Sequence, residues 1–180
     1  MYRLIIAALA LAAVAAAAGA ALAARGPLPD DVRDVRAAVA RYHSIEQAQR
    51  AGYVFHEAEP CVTAPPAPVP PTGPGTMGIH AVNPALLADP AIDPLRPELL
   101  LYVPKDNGEL QLVGVEYMRR AADQVPPIDE SDRPTLFGEA FQGPMPEHAP
   151  GQGWHYDLHV WLFAEHPNGL FAMFNSALSC

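Results

Sequence analysis

"ELLLYVPKDNGELQLVGVEYMRR", residues 98 to 120, contains two apolar runs joined by a polar corner. The first run, 98 to 103, is almost continuously apolar. Asp106, Asn107 and Gly108 supply turn chemistry, and the second run, 109 to 119, alternates. This pattern predicts a β-hairpin. Successive strand residues point to opposite faces, so Gly114, Glu116 and Met118 are expected on one face, with Val113, Val115 and Tyr117 on the other. Glu116 is the anomaly. It stands between Val115 and Tyr117 in an apolar strand, and a buried carboxylate without a partner is costly.

A partner is found further along the chain. "WHYDLHVWLF", residues 154 to 163, reads as one strand with His155, Asp157, His159, Trp161 and Phe163 on one side. Tyr156, Leu158, Val160 and Leu162 take the other side. If this strand lies beside 109–119, Glu116 can face His159. His80, in the short strand "MGIHAV" (77 to 82), can reach the same place from a third strand.

The metal-ligand reading is therefore His80, Glu116 and His159. Two imidazoles and a carboxylate form a first coordination set for zinc, copper, iron or manganese. Asp157 and His155 are candidates for orienting those ligands, and Asn83 follows His80 closely enough to line the same cleft. Residues i and i+4 of a strand lie roughly 13 Å apart, so His155 and His159 should not share one ion. His159 sits deeper in the apolar run, and His155, near the strand entrance, is expected to be exposed. A second reading stays open, in which Glu116 and His159 are a structural pair within a non-enzymatic module for a small apolar ligand. A third, metal-free acid–base catalysis by the same two residues, lacks an identifiable substrate.

Upstream, Val32, Val35, Val39 and Tyr42 recur at helical spacing behind Asp30 and Asp31, which predicts a helix over 30–42. Ser44 with Gln47 three residues on marks a second start, and Gly52 a stop, giving a helix over 45–51. Residues 60–76 are too proline-rich for a helix or an inner strand, and read as a loop. A short helical turn is expected at 84–87. "TLFG" (135–138) reads as a strand or a helical turn, and "LFAMFN" (170–175) as a further strand. The fold class is α+β: an N-terminal helical segment on a mostly antiparallel, curved sheet or half-barrel.

Residues 1–23 combine a short basic start, an apolar run and the small residues Ala21 and Ala23, the pattern of a cleaved signal peptide. An uncleaved anchor is the alternative. Residues 24–180 then make one domain. The chain carries a net charge of −9. That argues against nucleic acid and anionic lipid as partners, and leaves a small molecule as the partner class to consider. Nothing in the sequence sets the oligomeric state. Export to the periplasm or beyond makes a disulfide the expected fate of the two cysteines, Cys61 and Cys180. No serine stands in a nucleophile-elbow turn, and there is no phosphate-binding loop. His43 falls at the helix junction, and His56, His148 and His166 fall in turns, where solvation is expected.

Four segments, "MGIHAVNPALLADPAIDPLRPELLLY", "LVGVEY", "RPTLFGEAF" and "YDLHVWLF", resemble a group of small exported bacterial proteins of unassigned function. The resemblance runs from "YHSIEQAQRAGY" to the terminal cysteine. It implies export and a single domain, and it implies no reaction and no site residue.

Overall fold

The computed structural model describes residues 28–55, 60–65, 74–147 and 151–180. The segment read as a signal peptide, the middle of the proline-rich loop, His56 and His148 lie outside them. Helix α1 spans Asp30–Val39, with Asp30 and Asp31 in its first turn and Arg36 in its last, each placed to favour the helix dipole. A 3₁₀ turn, Ala40–His43, links it to α2, Ile45–Arg50. Ser44 Oγ caps α2 by accepting the Gln47 N–H.

Six strands form one antiparallel sheet: β1 (Val62–Thr63), β2 (Thr76–Val82), β3 (Leu99–Pro104), β4 (Leu110–Arg120), β7 (Gln142–Met145) and β8 (His155–Val160), in the order β1-β2-β3-β4-β8-β7. The sheet curls into a half-barrel, so the α+β expectation holds. Between β2 and β3 lies the one-turn helix α3, Pro84–Leu87. A small separate hairpin pairs β5 (Thr135–Leu136) with β6 (Glu139–Ala140) where "TLFG" left the choice open. Residues 170–175 are not a strand. They turn, and only Asn175 bridges to Thr76.

The hairpin of 98–120 is the centre of the sheet, but its alternation slips once. Leu101 pairs with Gly114 and Tyr102 with Leu112, leaving Val113 as the extra residue of a bulge. Leu110 and Leu112 therefore share a face with Val115 and Tyr117. Val113 turns to the opposite side, beside Leu101, Val103 and Trp161. This corrects the placement of Val113 by simple alternation. Gly114 is required at the bulge, since a Cβ there would lie 2.5 Å from the Val160 carbonyl oxygen.

One face of the sheet is covered by the helical segment. Val32, Val35, Val39 and Tyr42 pack with Leu100, Tyr102, Val115, Tyr117, Tyr156 and Leu158 in the main core. Each such buried side chain contributes roughly 1.5–3 kcal/mol of hydrophobic stabilisation. The tyrosines keep their hydroxyls bonded: Tyr102 donates to the Tyr42 carbonyl at 2.6 Å, Tyr53 to Pro97 at 2.7 Å and Tyr117 to Pro94 at 2.6 Å. The other face carries the smaller cluster of Leu101, Val103, Val113 and Trp161, and the C-terminal segment packs on it through Leu178. Cys61 and Cys180 form a disulfide that closes a sequence separation of 119.

Candidate metal centre

The second face also holds the polar residues. Glu116 of β4 stands directly opposite His159 of β8, and on its other flank opposite Leu99 of β3. His80 of β2 is paired with Leu101. From β2 to β8 is three strand intervals, about 14 Å along a flat sheet. The two imidazole centroids are nonetheless 6.4 Å apart. The curl of the sheet closes the rest of the distance, so these long side chains lean together above β3 and β4.

Glu116 Oε2 is the shared point. It lies 3.2 Å from His80 Nε2 and 3.7 Å from His159 Nε2. One ligand atom from each of the three residues falls within 4.8 Å of the others. A tetrahedral ion with metal–ligand bonds near 2.1 Å would hold its donors about 3.4 Å apart, so the spacing fits a single ion after small movements. Glu116 is 2% exposed, His159 is fully buried and the His80 side chain is 12% exposed. His80 is therefore the side of the cluster nearest to solvent. No well-directed hydrogen bond ends on Glu116 Oε2 among the described residues. A buried carboxylate oxygen in that position needs a cation or a proton donor aimed at it.

The surrounding charges are arranged unequally. Burial pushes the Glu116 carboxyl up, but His159, His80 and His155 more than offset it and hold it at about 2, ionised at neutral pH. Asp157 goes the other way. Burial first, and then the Glu116 charge, raise it well above the ordinary carboxylate range. Its Oδ1 is 3.8 Å from His159 Nδ1, close but beyond hydrogen-bonding reach. The Trp161 ring lies nearly parallel to the His159 ring, with centroids 6.1 Å apart, and its indole N–H donates to the Ala172 carbonyl at 2.7 Å.

Four placements differ from the sequence reading. His155 is fully buried, where exposure was expected. The reason is β7, which pairs along the outer side of β8 and sets Met145 opposite His155. The His155 Nδ1 sits 2.8 Å from the Gly153 carbonyl. Asn83 does not line the cluster. Its side-chain oxygen caps α3 by accepting the Ala85 and Leu86 N–H groups, and its amide donates to the Ala51 carbonyl. Phe163 leaves the row of His155, Asp157, His159 and Trp161, because β8 ends at Val160. It packs instead on the helix side, 4.5 Å from the His43 ring and under the Arg36 guanidinium. His166 is half-buried rather than solvated.

One residue went unnoticed in the sequence. Glu98, at the entrance of β3, is 2% exposed, and the Met118 N–H donates to its Oε2 at 3.2 Å. Burial raises its carboxyl to about 7, and the nearby Glu116 and Asp93 add to that. The signal was the same as for Glu116, an acidic residue abutting an apolar run. Its position at the end of the run reads as solvent-facing unless the preceding loop is known to fold over it.

No protein-family model, curated protein or solved structure matches the chain, so what is shown of it rests on its own geometry: an α+β half-barrel with a buried His/Glu cluster that could hold a metal ion.

Proposed function

We propose that this is an exported protein that binds a transition-metal ion through His80 Nε2, Glu116 Oε2 and His159 Nε2. The observation that carries the reading is the convergence of those three atoms within 4.8 Å from three different strands, with the carboxylate buried and ionised. A divalent ion would neutralise Glu116 and satisfy its second oxygen together. The donor set of two imidazoles and one carboxylate suits zinc, iron, manganese or copper, and lacks the oxygen ligands that calcium or magnesium needs. Three protein ligands leave room for a fourth on the His80 side, where a water or a small ligand would meet a Lewis acid. Export is supported by the disulfide and by the signal-peptide pattern of residues 1–23. Among the described residues no helix is long and apolar enough to cross a membrane.

The test is elemental analysis of tag-free protein secreted through an oxidising compartment, beside His159→Ala and Glu116→Ala. About one ion per chain is expected, and near-complete loss in both variants. Absence of any ion after incubation with zinc, copper, iron and manganese would return the cluster to a structural pair, and direct the search to small organic ligands.

A further inference from the structure

The three ligands sit on β2, β4 and β8, and none comes from residues 161–180. Leu162, Phe163, Leu170 and Phe171 pack with the main core on the helix side, but Trp161 and the stretch 172–180 lie on the face that carries the ligands. Trp161 stacks beside His159 and is tied to Ala172 through its indole N–H. Further on, Asn175 exchanges two backbone hydrogen bonds with Thr76, at 3.1 and 3.0 Å, on the same strand as His80. Leu178 then packs on Leu101, Val103, Val113 and Trp161, and Leu101 is the register partner of both His80 and Gly114. Two residues later Cys180 is fastened to Cys61.

We infer that residues 172–180 form a cover beside the metal-binding cluster, latched by the Cys61–Cys180 disulfide, and that the latch controls how fast the ion enters and leaves. The inference rests on the metal reading above. A segment that contributes no ligand should leave the stoichiometry alone. It changes kinetics, because the narrow way out past His80 widens when the segment tied to the start of the same strand opens locally. Leu178 is the apolar plug, and the covalent tie at Cys180 keeps it seated.

The experiment loads wild type, Cys61→Ser/Cys180→Ser, Leu178→Ala and Tyr102→Phe with zinc, removes the excess, and follows extraction by a colorimetric chelator. Tyr102→Phe is the control, because it weakens the helix side of the sheet without touching the cover. Extraction at least about tenfold faster in the double-serine variant, with one zinc still bound at the start, supports the cover. Leu178→Ala, which keeps the disulfide, should also release faster than wild type, and it decides the matter if the double-serine variant does not fold. Tyr102→Phe should release at the wild-type rate. Equal rates in wild type and both cover variants would overturn the inference while leaving the metal site intact. Loss of zinc from a folded cover variant would overturn it too, since the segment would then be part of the site. If wild type itself takes up no zinc and no other ion, the proposed function fails first, and the cover with it.

Discussion

Replacing Glu98 by Gln should change how the protein's stability responds to pH. Glu98 is buried beside Glu116 and Asp93, and its carboxyl rises from an ordinary 4.5 to about 7 in the folded chain, chiefly through burial. Below pH 4.5 the folded and unfolded chains both hold the proton, and the residue costs nothing extra. Between 4.5 and 7 only the folded chain holds it, so every rise in pH favours unfolding. Above 7 the carboxylate is charged in both states and the cost is complete, about 3 kcal/mol for a displacement of this size. Gln has nearly the same shape, can still accept the Met118 N–H, and does not titrate. Glu116 and Asp157 titrate in both proteins, so the difference between the two stability curves isolates Glu98. Urea denaturation at intervals from pH 4 to 8.5 measures it. The variant should gain on wild type by about 3 kcal/mol across that range, or roughly 6–12 °C in melting temperature. Parallel curves would show that Glu98 ionises as an exposed carboxylate does, and would refute the packing of the 89–98 loop that buries it.

Other outcomes follow from the same geometry. Removing the Cys61–Cys180 disulfide by Ala substitutions should cost about 5 kcal/mol, from the entropy of a 119-residue separation, read as a lower urea midpoint; an unchanged midpoint would contradict it. Gly114→Ala should destabilise by roughly 1–3 kcal/mol, because its methyl group would meet the Val160 carbonyl, a backbone atom that cannot rotate away. Tyr102→Phe should cost about 1–2 kcal/mol by leaving the buried Tyr42 carbonyl without its donor, with no effect on metal content. Zinc at a thousandfold excess over its dissociation constant should stabilise wild type by about 4 kcal/mol in thermal unfolding. The same zinc should leave Glu116→Ala unmoved.

Much of this was legible in residue order, and the misses share causes. The Asp106–Gly108 corner announced the central hairpin, and a lone Glu116 in an apolar strand pointed to a partner that proved to be His159 across the ladder. The bulge left a trace that strict alternation overlooked: Leu110 and Leu112, then Val115 and Tyr117, are apolar at a phase that slips by one residue. β7 was hidden because Gly143 and Pro144 suppress the strand signal, and only an edge position tolerates them. Without β7 the outer side of β8 looks bare, and His155 looks exposed. Glu98 and His155 thus share a reason for being misjudged. Their burial depends on loops and edges packed over them, a tertiary fact that local pattern does not encode.

The Val113 carbonyl has an effect on the route of the chain as well. It accepts from both the Leu162 and the Phe163 N–H groups, at 3.1 and 3.0 Å. Two donors converging on one oxygen cannot belong to an evenly spaced ladder, so the chain is turned out of the sheet there. Had β8 run on in register, Phe163 would have stayed in line with His159, and the C-terminus would have travelled away along the sheet edge. Instead the last residues double back to Thr76 and bring Cys180 to Cys61. A one-residue irregularity in one strand thus acts as a junction in the path of another, and decides whether the two cysteines, so far apart in sequence, meet at all.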